Sequence, residues 1–275
     1  MDPTGTIPLS QRVPCPEFAG ILLAAADGHG NYNAGTIAFT KKFSQGLSLL
    51  ANYTYAKSID DTSTEINFTF RPEEGRKDMR GPSDFDVNHR AVFSYIYQLP
   101  VGKGRRYLNR GGVANAVLGG WQVSGITTFM SGPPHTVHFG GATAAIRGPL
   151  LFTRPDCVSN PNKSSFRHNV RNNGLVYFDV DAFQAPAPFT LGNCGRNPLR
   201  LPGINKWDLA AHKYFDFGER VKLQARFEFF NAWNHAQFLM GAPNTSANFT
   251  TDRTFGRVIG ARYPRDIQIG LKLIF

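Results

Sequence analysis

The sequence predicts an all-β chain whose strands run as an antiparallel up-and-down meander. Three observations predict it. Apolar and polar residues alternate with period two in seven segments of about ten residues. The connections between these segments are tight at some positions and very long at others. Gly (28) and Pro (18) are also too frequent for a helical bundle. Of the 275 residues 13% are aromatic and only 18% charged, a balance that excludes disorder throughout. The longest nearly uncharged apolar run, 18–26, falls far short of the about 20 residues a membrane helix needs.

In order along the chain, residues 34–43 place Ile37, Phe39 and Phe43 together, and the tight turn Ser44-Gln45-Gly46 follows. Residues 47–57 gather Leu47, Leu49, Ala51, Tyr53 and Tyr55 against Ser48, Asn52 and Thr54. Residues 85–99 gather Val87, Ala91, Phe93, Tyr95, Tyr97 and Leu99 against Asp86, Asn88, Arg90, Ser94 and Gln98, with His89, Val92 and Ile96 breaking the rule. In 121–131 the apolar face holds Trp121, Val123 and Phe129, with Ile126 and Met130 out of phase. In 206–217 it holds Trp207, Leu209, Ala211, Phe215 and Phe217, with Lys213 the exception. The clearest strand is 221–230: Val221, Leu223, Ala225, Phe227 and Phe229 oppose Lys222, Gln224, Arg226 and Glu228. The last, 266–275, sets Ile267, Ile269, Leu271, Leu273 and Phe275 against Asp266, Gln268, Gly270 and Lys272.

Soluble strands average five or six residues, whereas about ten is the length that crosses a bilayer when tilted. Aromatic residues gather near strand ends (Tyr53, Tyr55, Tyr95, Tyr97, Trp121, Trp207, Tyr214, Phe215, Phe217, Trp233), as in the belts at membrane–water interfaces. Loop lengths agree. If the tight turns 44–46 and 218–220 lie on the periplasmic side, so does 100–120, and the long stretches 58–84, 132–205 and 232–265 all fall outside. The expectation is therefore a partial transmembrane β-barrel of about seven or eight strands with long extracellular loops, in the outer membrane of a Gram-negative type of cell. Its apolar faces would meet lipid, and Lys222, Gln224, Arg226, Glu228 and Lys272 would face the lumen. Residues 1–30 form a poorly defined N-terminal segment or an additional strand within 17–27, and 31–275 form the barrel portion. The external loop at about 132–205 is expected to contain local hairpins around 149–158 and 174–183. Cys157 and Cys194 both lie in it; a disulfide and two free thiols are both open, while Cys15 stands apart.

Several stretches, taken in order, carry a family resemblance: NYNAG at 31–35, FSQGLSLLANYTYAKSIDD at 43–61, and SDFDVNHRAVFSYIYQLPVGKGRRYLN at 83–109. LGGWQVSGITTFMSGPPHTV at 118–137, GNCGRNPLRLPGINKWDLAAHKYFDFGERVKLQARFEFFNAWNHAQF at 192–238 and FGRVIGARYPRDIQIGLKLIF at 255–275 continue the set. The chain resembles the C-terminal part of the β-barrel of TonB-dependent outer-membrane transporters, and more narrowly the Oar-like branch. The resemblance implies uptake of a solute such as a siderophore or an oligosaccharide. It implies partners in outer-membrane lipid, in the barrel-assembly machinery and, through a plug domain, in the TonB energy-coupling complex. Leu271, Leu273 and the terminal Phe275 match the assembly signal of such barrels. Family barrels close with 22 strands around an N-terminal plug. Seven or eight strands, no plug and no export signal make this chain look like a fragment that is not transport-competent alone. A small self-contained outer-membrane barrel acting as adhesin or structural protein, and a soluble β-rich binding module, are the competing expectations.

No residue pattern points to catalysis, so no enzyme and no cofactor are expected. Gly102-Lys103-Gly104-Arg105-Arg106 lacks the spacing of a phosphate-binding loop and reads as a solvated basic turn near lipid headgroups. His135 and His138 lack a third ligand nearby, and no C-x-x-C pair is present, so no metal is expected. Asp60, Asp61, Asp84 and Asp86 read as loop-base caps rather than as an acid–base pair. The net charge of +10 raises the question of nucleic acid, but the basic residues are scattered and no recognition signature accompanies them.

Overall fold

The computed structural model of the chain describes residues 28–63, 79–139, 154–163, 165, 167, 174–187, 192–217, 221–240 and 254–275. Seven long strands form one sheet: β1 (Gly30–Ser44), β2 (Leu47–Asp60), β3 (His89–Gln98), β4 (Trp121–Met130), β5 (Ile204–Phe217), β6 (Val221–Phe230) and β7 (Asp266–Ile274). Each pairs antiparallel with the next in sequence order, and a two-residue strand, Gly81–Pro82, adds to the end of β2. This is an up-and-down meander, the arrangement that keeps every connection local.

The β1–β2 turn shows the local chemistry. Gln45 and Gly46 both have positive φ (52° and 81°), the two-residue turn whose twist matches that of the flanking strands. A Cβ on Gly46 would also lie 2.7 Å from the Gln98 carbonyl oxygen, so glycine is required there twice over. The third strand begins at His89 rather than at residue 85. Residues 85–88 leave the ladder because the Asp86 carboxylate is committed elsewhere: it accepts from the Ser58 amide of β2 at 2.7 Å and from the Arg200 guanidinium of the long loop. The expected tight turn 218–220 and the additional strand within 17–27 fall outside the described residues.

Register fixes the faces. Leu47, Tyr97, Val123, Ala211, Phe227 and Ile269 share one face across the sheet. Gln98, Gln122, His212 and Arg226 share the other. Among the described residues no second layer covers the apolar face. Ile37, Ile269 and Leu271 are 71–72% exposed. A soluble sheet would bury this face under a packed layer, and an uncovered apolar surface of this extent marks a lipid or protein contact. Phe227, partly covered, has the Trp121 ring of β4 6.2 Å away on the same face. The ten residues of β3 or β4 run about 33 Å along the strand, which at the usual tilt spans the about 25 Å apolar band of an outer-membrane barrel.

The packed core lies beyond the strand ends, in the loops on the side away from the β1–β2 turn. Val137, Tyr177, Phe178, Ala182, Phe183, Cys194, Leu199 and Val258 form it, with Phe255, Phe238 and Met240 packed against them. Small ladders organise these loops: Pro134–His135 with Leu199–Arg200, Asp156–Cys157 with Phe183–Gln184, and Phe238–Met240 with Val258–Ala261. The two local hairpins expected around 149–158 and 174–183 are thus replaced, where the residues are described, by one longer-range pairing between those regions.

Candidate functional site

Two surfaces have functional chemistry: the ionic face of the sheet and the cap made by the long loops. On the ionic face, Lys222, Gln224, Arg226 and Glu228 of β6 stand opposite Ile274, Lys272, Gly270 and Gln268 of β7. Asp216, Tyr214, His212 and Ala210 of β5 lie on their other side. Among the described residues the ion pairs of this face run both along a strand and across strands. Arg226 bonds Glu228 and Lys206 bonds Asp208 at 2.7 Å, each two residues apart on one face, while Lys222 reaches across to Asp216 at 3.9 Å. Tyr214 belongs to this face too. Its hydroxyl accepts from Gln224 Nε2 at 2.9 Å, so it is no part of the outer aromatic belt.

The belt itself has two levels on the apolar face. Near the long loops, the Tyr53 hydroxyl meets His89 Nδ1 at 2.8 Å, and Phe93, Phe129, Trp207 and Trp233 stack edge to face in succession. Near the tight-turn side stand Tyr97, Trp121 and Phe215. Lys213, the residue that breaks the alternation of β5, lies here. It is 4% exposed, with its Nζ donating to the Gly119 carbonyl and held over the Phe215 and Trp121 rings at 5.0 and 5.9 Å. Its ammonium has been carried to the end of the apolar band, where a backbone acceptor and two π faces replace water.

The cap is tied to the strand ends by arginines that sequence pattern did not single out. Arg196 donates to the Asp60 carboxylate, to the Asp60 carbonyl at 3.0 Å, to Ser63 Oγ at 2.5 Å and to Asp84 Oδ1 at 3.1 Å. Asn197 follows with positive φ (56°), and its Nδ2 donates to Pro82 O and Asp84 Oδ1, both at 2.7 Å. Arg200 grips the Asp86 carboxylate and carbonyl. Arg154, 1% exposed, donates to Cys194 O at 3.2 Å. Cys157 and Cys194 form a disulfide with Cα atoms 4.9 Å apart, inside the core cluster. Gly132 lets the chain leave β4 here; a Cβ on it would sit 1.6 Å from the Leu201 carbonyl oxygen. The described parts of the three long loops therefore meet in one folded unit: 132–205 supplies Arg196 and Arg200, 58–84 supplies Asp60, Ser63 and Asp84, and 232–265 supplies Phe255 and Val258. The cue in the sequence was the set of acidic residues at the ends of β2 and before β3, which needed basic partners from somewhere.

His135 and His138 lie in the same cap. Burial pushes His138 down to about 4, helped by the positive charges of His135 and Arg154 and opposed by Asp84. Among the described residues no three His, Cys, Asp or Glu side chains gather as a metal site would require. Leu271, Leu273 and Phe275 stand 72%, 57% and 96% exposed at the apolar edge of β7.

A twisted meander with an uncovered apolar face, two aromatic belts, an ionic opposite face and a folded loop cap at one end is the wall of an outer-membrane β-barrel. Residues 2–268 match the family described as outer membrane beta barrel domain, and the chain belongs to that family. Its place is the outer membrane. Neither the curated proteins nor the solved structures give a match.

Proposed function

We propose that this chain forms wall and outer loops of a TonB-dependent transporter of the Oar-like branch, taking up a solute such as a siderophore or an oligosaccharide. The cap carries this reading. A barrel that served only as a wall would need no such structure, whereas loops held rigidly on a scaffold are where capture sites form. Below the cap, Lys222 and Arg226 are paired with Asp216 and Glu228, and with Lys272 they give the interior a polar, ion-paired lining suited to a polar solute. Among the described residues, β1 pairs only with β2 and β7 only with β6. All of β7 is exposed, and so is β1 apart from Lys41. A bilayer leaves no water to satisfy such edges, so in the proposed transporter further strands complete the wall around a plug that meets the TonB complex.

The test is growth of host cells lacking this chain on panels of single iron and carbon sources, with and without a working TonB system. A nutrient whose uptake needs both is the expected result. Uptake that needs the chain but persists without TonB would refute energy-coupled transport. Loss of surface attachment with no change in any uptake would instead favour an adhesin.

A further inference from the structure

The connection between β3 and β4, residues 99–120, lies on the periplasmic side and is long for that side. We propose that it is a phospholipid-binding platform: an interfacial foot that binds the anionic headgroups of the periplasmic leaflet while its apolar side chains enter the acyl boundary.

The stretch is built rather than loose. The short helix α1 (Val113–Leu118) is followed by Gly119, whose amide donates to Asn115 O at 2.9 Å. Asn115 Oδ1 accepts from the Lys103 amide, and Asn109 Oδ1 from the Gly104 amide, both at 2.7 Å. Trp121 Nε1 donates to the Val117 carbonyl at 2.9 Å. Trp121 stands on the apolar face, 6.2 Å from the Phe227 ring. That bond therefore sets α1 on the lipid side of the wall and not under the lumen. The exposed residues are of two kinds. Val113 (82%), Val117 (59%), Leu118 (52%) and Tyr107 (53%) are apolar or amphipathic. Lys103, Arg105, Arg106 and Arg110 are basic and also exposed. No Asp or Glu occurs anywhere from residue 87 to residue 155, so no acidic neighbour in this part of the chain neutralises them. Among the described residues Arg105 reaches Gln98 Oε1 at 3.4 Å, and Arg106 lies over the Tyr107 ring at 5.4 Å. Basic and apolar side chains side by side at the rim of a membrane wall, beside an interfacial Trp, suit an anionic lipid surface in both charge and polarity.

The experiment uses the full chain folded in detergent, with phosphatidylglycerol and phosphatidylcholine as probes and retained lipid per protein measured by native mass spectrometry. Folding of each variant is checked by its unheated gel mobility. The K103Q/R105Q/R106Q/R110Q variant is expected to lose phosphatidylglycerol affinity by roughly tenfold or more, with phosphatidylcholine retention unchanged. Should that variant fail to fold, R105Q/R106Q tests the same point with a smaller loss. The V113S/V117S/L118S variant is expected to weaken both lipids. Unchanged phosphatidylglycerol retention in the charge variants would overturn the proposal. So would displacement of the lipid by an excess of inorganic phosphate, which would reduce the foot to a free-anion site.

Discussion

Replacing Arg196 by alanine should open the cap without dismantling the wall. The Arg196 side chain is 6% exposed and that of Asp60 is 9% exposed. Its removal strands the Asp60 carboxylate and also takes a donor from Asp84 Oδ1 and Ser63 Oγ. Breaking a buried pair by deleting one partner costs about 3–5 kcal/mol, because an uncompensated charge is left behind. Ser63 and Ser83 still bond Asp60, which places the loss toward the lower end of that range. Arg196→Lys keeps the charge but replaces a planar fork that serves four acceptors with a single ammonium, so it should cost about 1–2 kcal/mol. The assay is amide hydrogen exchange of residues 58–63 and 192–201 in the full, detergent-folded chain. Arg196→Ala should exchange about a hundredfold faster or more there, with β5 and β6 protected as before. Combining Arg196→Ala with Asp60→Asn should be markedly less than additive, since both remove the same contact. Unchanged protection in Arg196→Ala, or strict additivity, would show that the pair does not hold the cap.

Reducing the Cys157–Cys194 bond, or replacing both with Ser, releases a loop of 37 residues, worth about 3.8 kcal/mol on the chain-entropy account. Limited proteolysis should then cut the cap while unheated gel mobility stays that of the folded parent chain; equal resistance would refute a role for the bridge. His138 binds a proton less readily folded, at about 4, than unfolded, near its ordinary 6.5. Its contribution is therefore complete above about pH 6.5 and lost as pH falls toward 4, amounting to about 2 kcal/mol by pH 5. Proteolysis of the cap at pH 7.5 and 5 should show this loss in the parent chain and a smaller one in His138→Gln; an identical pH response would refute it. Deleting Phe275 should lower the fraction of chains reaching the outer membrane in folded form, measured by fractionation and unheated gel mobility. Unchanged assembly would remove Phe275 from the insertion signal.

The wall was legible in the sequence because period two survives wherever one face meets hydrocarbon. Residues 221–230 form a strand with those same ends, and strand order followed from loop length. Residues 85–88 misled for a local reason: Asp86 and Asn88 continue the alternation, yet their side chains bond the backbone of Ser58 and Ala56 in β2 in place of a strand pairing of their own. Lys213 looked like an interruption because its acceptor, Gly119, is 94 residues away in sequence. The cap was the least legible part. Arg196 meets Asp60 across 136 residues, and no period or spacing encodes a partner at that distance. Its acidic half was visible at the strand ends, its basic half was one arginine among many.

Among the described residues the packed hydrophobic cluster sits in the loops beyond the strand ends, and the long strands hold no interior packing of that kind. The molecule thus consists of two cooperative units held by different solvents. Calorimetry of the lipid-embedded chain should resolve two endotherms rather than one, the lower shifting with thiol reductant and the upper with acyl-chain length.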